Sequence, residues 1–380
     1  MRLLYITRVK VPSKDAQSRQ IANMSRAYHE AMGEDFLLLC GGSDLGAPDV
    51  PHRVISRASR QWQRYFWACV RAAGVALGSP RLTVITRDIA VAWTLVALGG
   101  RVVFEAHDIP RGRVAEALLR RCIGSPRFRM VTNCHALADF YRDQRGMPAE
   151  RLLALHNGCF VDEYDALRHT DRAALRQGLG LPADKLVIVH TGSLYKGGAE
   201  LFEHAAAWRP GATEFVHIGG SAAECERWTR HYEARGLRNL RFLPHQPPQE
   251  VRCFQRAADL LFFVSTRNSS IWWCTSPLKV FEYMASGTPI LGAALGSLGE
   301  VLNPGNAFLY DPDRPASITE ALDAFGADAQ AAAARAQAAL AEARDQYAWQ
   351  RRARRILAFA QVLPPLPGDA AVPRQPSSSA

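Results

Sequence analysis

The sequence predicts an α/β protein of two Rossmann-like, doubly wound domains. Three observations carry this. Short β-branched or leucine-rich runs alternate with segments long enough for helices. The alternation pauses and restarts around a turn signal, His156-Asn157-Gly158. The chain has 380 residues, 48% of them hydrophobic, enough for two ordinary cores.

In order, Leu3 to Thr7 reads as the first strand, and Phe36 to Cys40, Thr83 to Thr86, Val102 to Glu105 and Met130 to Thr132 complete one parallel sheet. The loop from Lys10 to Arg19 follows the first strand; Lys14 and Arg19 either bind an anionic acceptor or stay solvated. Thr86-Arg87-Asp88 ends the third strand, where Arg87 either shapes an acceptor pocket or forms a local ion pair. Phe104-Glu105-Ala106-His107-Asp108-Ile109-Pro110 sets polar residues at a carboxyl strand edge, where open α/β sheets bind ligands. Asp108 there reads as a helix cap. A second series runs through Leu186 to Thr191, Glu214 to Ile218, Leu240 to Leu243, Leu260 to Val264 and Pro289 to Leu291. Asp328 to Tyr347 is an Ala-rich helix, and Trp349 to Gln361 carries an arginine cluster with an apolar stripe. Residues 363–380, rich in Pro, Ser and Ala, form a disordered tail.

Composition narrows the function classes. No run approaches the ~20 apolar residues of a spanning helix, and the N-terminus reads as a strand rather than a signal peptide, so a cytoplasmic protein is expected. Eight cysteines fall in no CxxC pair and mostly in apolar segments, which suggests buried thiols. Residues 1–150 hold 22 Lys and Arg against 13 Asp and Glu, nine of the ten net positive charges. No acidic residue occurs from Val50 through Arg87. The bias implies an anionic partner, a membrane surface or lipid-linked phosphate before nucleic acid, for which no motif is present. On a helical wheel Arg57, Arg60, Arg64 and Arg71 share one side and Trp62, Phe66, Cys69, Val70 and Ala73 the other. The expectation is a helix that packs its apolar side on the sheet and shows its arginines to water or to anionic headgroups, with Trp67 at their border.

The chemistry concentrates in residues 276–291. With Pro277 in the first helical turn, Lys279 lies among amides that attract anionic oxygens, and Glu282 follows at i+3 on the same side. A pyrophosphate needs the donors and a ribose needs the carboxylate; the alternative is a surface Lys–Glu pair on an ordinary helix. A second motif, His190 to Gly198, is a glycine-rich strand-to-helix turn carrying Gly192, Ser193 and Lys196, suited to phosphate.

The stretch from Ser276 to Leu291 resembles, almost continuously over sixteen residues, the donor-site helix of retaining glycosyltransferases of family 4. The resemblance implies a GT-B-type fold with a central cleft. It also implies a 1–158 acceptor-side domain completed by a terminal helix at 347–362, and a 159–346 domain for the nucleotide-sugar. By the same resemblance Glu282 binds the ribose, Lys279 contacts phosphate or sugar, and Ser276, Pro277, Leu278, Gly192 and Ser193 border the donor. The segment Leu240 to Pro247, with His245, lies near the base, and His107 near the donor sugar. Two positions depart from the family: Cys274 stands where many relatives carry a second Glu, and Ser193 where they carry Arg.

The implied reaction moves a sugar from a nucleotide diphosphate to a hydroxyl acceptor, lipid-linked or a growing glycan, with retention. His107, Lys196 and Lys279 are its catalytic residues, the two lysines stabilising the leaving diphosphate. The enzyme would serve cell-surface polysaccharide or glycolipid synthesis on the inner face of the membrane. No metal or cofactor is expected, since Asp311-Pro312-Asp313 reads as a turn. A nucleotide-sugar epimerase of the same fold and a non-catalytic nucleotide-sugar-binding subunit are the alternatives.

Overall fold

The computed structural model describes residues 2–56, 60–79, 81–192 and 199–365. It divides into two compact units. One ends at Asn157 and resumes at Trp349; the other runs Gly158–Ala348.

The first unit contains strands β1 (Leu3–Ile6), β2 (Phe36–Cys40), β3 (His52–Val54), β4 (Thr83–Thr86), β5 (Arg101–Ala106), β6 (Phe128–Thr132) and β7 (Leu152–Ala154). All pair in parallel, in the order β3-β2-β1-β4-β5-β6-β7. Helices α1 (Ala16–Met32), α2 (Gln61–Gly78), α3 (Ile89–Ala97), α4 (Arg113–Ile123) and α5 (His135–Arg145) make the crossovers. The order reverses between β1 and β4, which opens a crevice at their carboxyl ends. β1 and β4 are buried on both faces, as central parallel strands require. Asp15 starts α1 by accepting from the Ser18 N–H at 2.7 Å.

The second unit contains β8 (Leu186–Thr191), β9 (Thr213–Ile218), β10 (Leu240–Leu243), β11 (Leu260–Phe262), β12 (Ile290–Gly292) and β13 (Phe308–Leu309). Their order, β10-β9-β8-β11-β12-β13, reverses between β8 and β11. Around this sheet lie α6 (Asp165–Arg168), α7 (Arg172–Gly178), α8 (Ala199–Ala207), α9 (Ala222–Glu233), α10 (Pro248–Ala257), α11 (Leu278–Ser286), α12 (Ser317–Ala327) and α13 (Ala329–Asp345). Ser221 and Glu224 form a capping box on α9, and Asp328 caps α13. The chain then returns as α14 (Trp349–Phe359) and packs on α1 in the first unit, burying Trp349, Arg352, Ala353, Ile356 and Leu357.

The strands read from the sequence are present within two residues at each end; β3, β7 and β13, short strands on the flanks, carry too little pattern to be read. The orientation of α2 is a correction. Its buried line is Ala68, Ala72 and Ala76, while Trp62, Phe66, Trp67, Val70 and Leu77 are exposed, Trp62 by 63% and Phe66 by 58%. Arg64, expected in water, turns back to donate to the Arg8 carbonyl at 3.2 Å. Small residues win the inner face because α3 lies close against α2 and leaves no room for rings. Arg57 and the tail from residue 366 lie outside the described residues. The cysteines are all free, six of them buried.

Candidate functional site

In the second unit the site is built where β8 ends. Gly192 follows at φ +117, a region that favours glycine. A Cβ on Gly192 would lie 2.5 Å from Lys279 Nζ, so the ammonium sits directly against this turn. Gly219, after β9, approaches Gly192 equally closely, since its Cβ would meet the Gly192 carbonyl. Lys279 also lies over the Phe263 ring at 5.5 Å.

Pro277 is the N-cap of α11 (φ −68°, ψ 130°) and supplies no side-chain cap. Its extended ψ puts it one position before the first helical turn in which it was expected. The helix N-terminus beside Lys279 is thus left without a side-chain acceptor, a setting that favours anionic oxygens. The Thr191 N–H donates to the Tyr283 hydroxyl at 2.8 Å, and the two hydroxyls lie 3.1 Å apart. This fully buried contact ties α11 to the end of β8. Glu282 is half-buried, and among the described residues none hydrogen-bonds its carboxylate. Burial first, then the Glu282 charge, raises the pKa of the neighbouring Cys159 thiol and Tyr164 phenol.

His190 and His217 stack beneath this site with Nδ1 atoms 2.9 Å apart. Both stay neutral: burial, followed by the Lys279 cation, holds His190 well below the usual histidine pKa and His217 at about 3. One ring must therefore donate and the other accept. The sequence reading passed over this pair, although two histidines at matching positions of adjacent strands were visible as a signal.

Gly192 and Lys279 are brought together, and Ser276, Pro277, Leu278 and Glu282 accompany Lys279 by position on or before α11. Ser276 is buried. His245 is not brought there: it is exposed at the end of β10, two strands from β8, its N–H donating to the Gly220 carbonyl at 3.0 Å. Cys274 is fully buried. Ser193 and Lys196 lie outside the described residues. Asp311 accepts from the Asp313 N–H at 2.9 Å, and Asp313 pairs with Arg267 at 2.7 Å, the turn read from the sequence.

In the first unit polar groups gather at the carboxyl edge. Glu105 is buried and accepts from Tyr5 at 2.8 Å and from Arg352 of α14 at 2.9 Å. Arg352 also donates to the His156 carbonyl at 3.0 Å. His107 follows β5; its Nε2 is enclosed and without a partner, and burial, then Arg87 and Arg352, holds it neutral, well below the usual pKa. Arg87 follows β4 and donates to Gln20 at 2.9 Å. The ion pair weighed for Arg87 is made by Arg8 instead, with Asp88 at 2.7 Å. Lys14 is exposed, before the start of α1. Asp108 does not cap a helix: α4 begins after Gly112, and Asp108 accepts from the Ile109 N–H and pairs with Arg111. Neither Gln20 nor Arg352 stands in a motif, and Arg352 was legible only as one of the arginines clustered at 349–361.

Two parallel-sheet Rossmann-like domains define the architecture of GT-B glycosyltransferases. A family model described as "Glycosyl transferase-like" matches residues 198–358, which include Lys279 and Glu282. Among curated proteins, the D-inositol 3-phosphate glycosyltransferase of Corynebacterium urealyticum is 29% identical over 225 residues, 56% of this chain and 51% of that protein. Its Mycobacterium bovis counterpart is 30% identical over 182 residues, 47% and 36% of the two chains. The chain thus spans about half or less of the curated relatives it matches. Among solved structures, Anabaena HepE in complex with UDP and glucose superposes with TM-score 0.72 at 19% identity, covering 96% of this chain and all of that one. Sucrose-phosphate synthase of Thermosynechococcus elongatus gives 0.73 at 15% identity, with 94% and 98% covered. At these identities the structural likeness speaks for the fold.

Proposed function

We propose that the protein is a retaining glycosyltransferase that moves a sugar from a nucleotide diphosphate donor to a hydroxyl acceptor. The observation that carries this is Lys279, held against the Gly192 turn at an uncapped helix N-terminus with Glu282 one turn on. A diphosphate on Lys279 and the α11 amides, and a ribose on Glu282, match those groups in kind and order. The family match and the relatives support a nucleotide-sugar donor, and HepE's complexes with UDP and UDP-glucose favour UDP.

In the reaction the bond from the anomeric carbon to the diphosphate oxygen breaks. A new bond to the acceptor oxygen forms on the same face, and the acceptor's proton passes to the leaving diphosphate. Lys279 stabilises the charge that develops there, with Lys196 assigned the same task. The reading extends to work on a lipid-linked or growing glycan at an anionic membrane face, supported by the exposed aromatic side of α2. No helix among the described residues is long and apolar enough to cross a membrane.

Binding of UDP by calorimetry tests the site. Glu282→Ala should lose measurable affinity while keeping its circular dichroism spectrum. Undiminished UDP binding and turnover in that variant would remove the assignment.

A further inference from the structure

Arg87 stands just beyond β4, at the switch point of the first sheet. Its side chain is partly buried, and no carboxylate among the described residues is hydrogen-bonded to it, although the Glu105 and Asp88 charges lie near enough to favour its protonated form. The Asp88 carboxylate accepts from the Arg8 side chain at 2.7 Å and from the Arg8 N–H at 3.0 Å. Glu105 is taken by Tyr5 and Arg352. What Arg87 does meet is a neutral group, the Gln20 Oε1. Gln20 is itself only 2% exposed, and its Nε2 has no partner. The enclosed, unpartnered Nε2 of His107 lies within reach of the Arg87 charge. A partly buried cation with no carboxylate paired directly to it attracts an anion, and a buried amide N–H2 without an acceptor is costly to leave so. A water would satisfy the amide without pairing the charge directly. An oxyanion satisfies both.

We propose that Arg87 and Gln20, flanked by His107, form an oxyanion subsite in the first unit, which takes a phosphate or carboxylate carried by the acceptor. The assignment to an acceptor rests on the glycosyltransferase reading; the binding of an anion does not. The acceptor class it names is a hydroxyl compound bearing a phosphomonoester or a carboxylate close to the reacting hydroxyl.

The test is thermal unfolding of the full chain in a buffer free of phosphate and sulfate, titrated separately with inorganic phosphate, acetate and UDP. A ligand that binds only the folded state raises stability as ln(1 + [L]/Kd). Phosphate or acetate should raise the midpoint saturably, and the anion with the lower Kd names the acceptor's group. Arg87→Met should abolish that response. Gln20→Leu should raise the Kd at least tenfold. If Arg87→Met fails to fold, Arg87→Lys, which keeps the charge and loses the fork, should also raise the Kd at least tenfold. Lys279→Ala should keep the Arg87-dependent response, because that cation belongs to the other unit. The proposal is overturned if wild type shows no saturable response to either anion, or if Arg87→Met and Arg87→Lys respond as wild type does. The UDP titration separates the two readings: a UDP response intact in the Arg87 variants with no anion response removes the subsite alone. An anion response with no UDP response removes the glycosyltransferase reading and leaves the subsite.

Discussion

Lys279 is worth its position rather than its charge alone. Set against Gly192 and at a helix N-terminus, it is placed to meet the diphosphate of the proposed donor, and a charge-assisted hydrogen bond of that kind contributes about 1.5–3 kcal/mol. Lys279→Ala should therefore lower kcat/KM at least about tenfold, mostly through kcat, because the charge it stabilises grows in the transition state. Steady-state kinetics with a radiolabelled sugar donor reads this, and added EDTA should change little. Tyr283→Phe is subtler. It leaves the Thr191 N–H buried without an acceptor, so the urea midpoint should fall by the equivalent of about 1–3 kcal/mol. The histidine pair adds a pH signature. His190 and His217 are neutral when folded, with pKa values below that of an unfolded histidine near 6.5, so between those values the unfolded state binds more protons. Their contribution is whole above pH 6.5 and is lost as pH falls toward about 3. Urea midpoints measured from pH 7.5 to 5 should drop most steeply below 6.5. His217→Phe should flatten that slope; an unchanged slope would mean that the pair does not titrate on unfolding.

At the scale of elements, α2 presents an apolar face with no protein over it among the described residues. Trp62, Phe66, Val70 and Leu77 fall on one side and Trp67 beside them, in a stretch without acidic residues from Val50 through Arg87. Aromatic side chains sit well at the headgroup level, and each nearby arginine adds about 1 kcal/mol on an anionic surface. Co-sedimentation with vesicles should require anionic lipid and weaken with salt. The Trp62→Ser, Phe66→Ser, Trp67→Ser triple variant should bind several-fold less without loss of stability, because those rings leave nothing unfilled. Sedimentation of the triple variant like wild type would mean that α2 is only a solvated face.

At the scale of the whole molecule, α14 brings the end of the chain back to the first unit and buries Arg352 against Glu105. Removing one partner of a buried pair leaves a charge uncompensated and typically costs 3–5 kcal/mol. Arg352→Ala should thus lose hydrogen-exchange protection across α1 and β5, while β8 to β12 keep theirs. Equal loss in both units would show that Arg352 serves the molecule as a whole.

What the sequence determined by itself was local. Alternating strands and helices, the turn at Asn157, and a Lys and Glu three apart behind a proline are each written in neighbouring residues, because periodicity, caps and helix register depend on nothing further away. What only the tertiary structure decided depends on distant residues. Strand order makes Gly192 a partner of Lys279, and α3 lying close to α2 turns Trp62 and Phe66 outward where a helical wheel turned them inward. Glu105 and Arg352, 247 residues apart, neutralise each other, and that pairing leaves Arg87 with no carboxylate hydrogen-bonded to it among the described residues. Charge balance in a buried site is a sum over every neighbour, and a linear sequence does not say who the neighbours are.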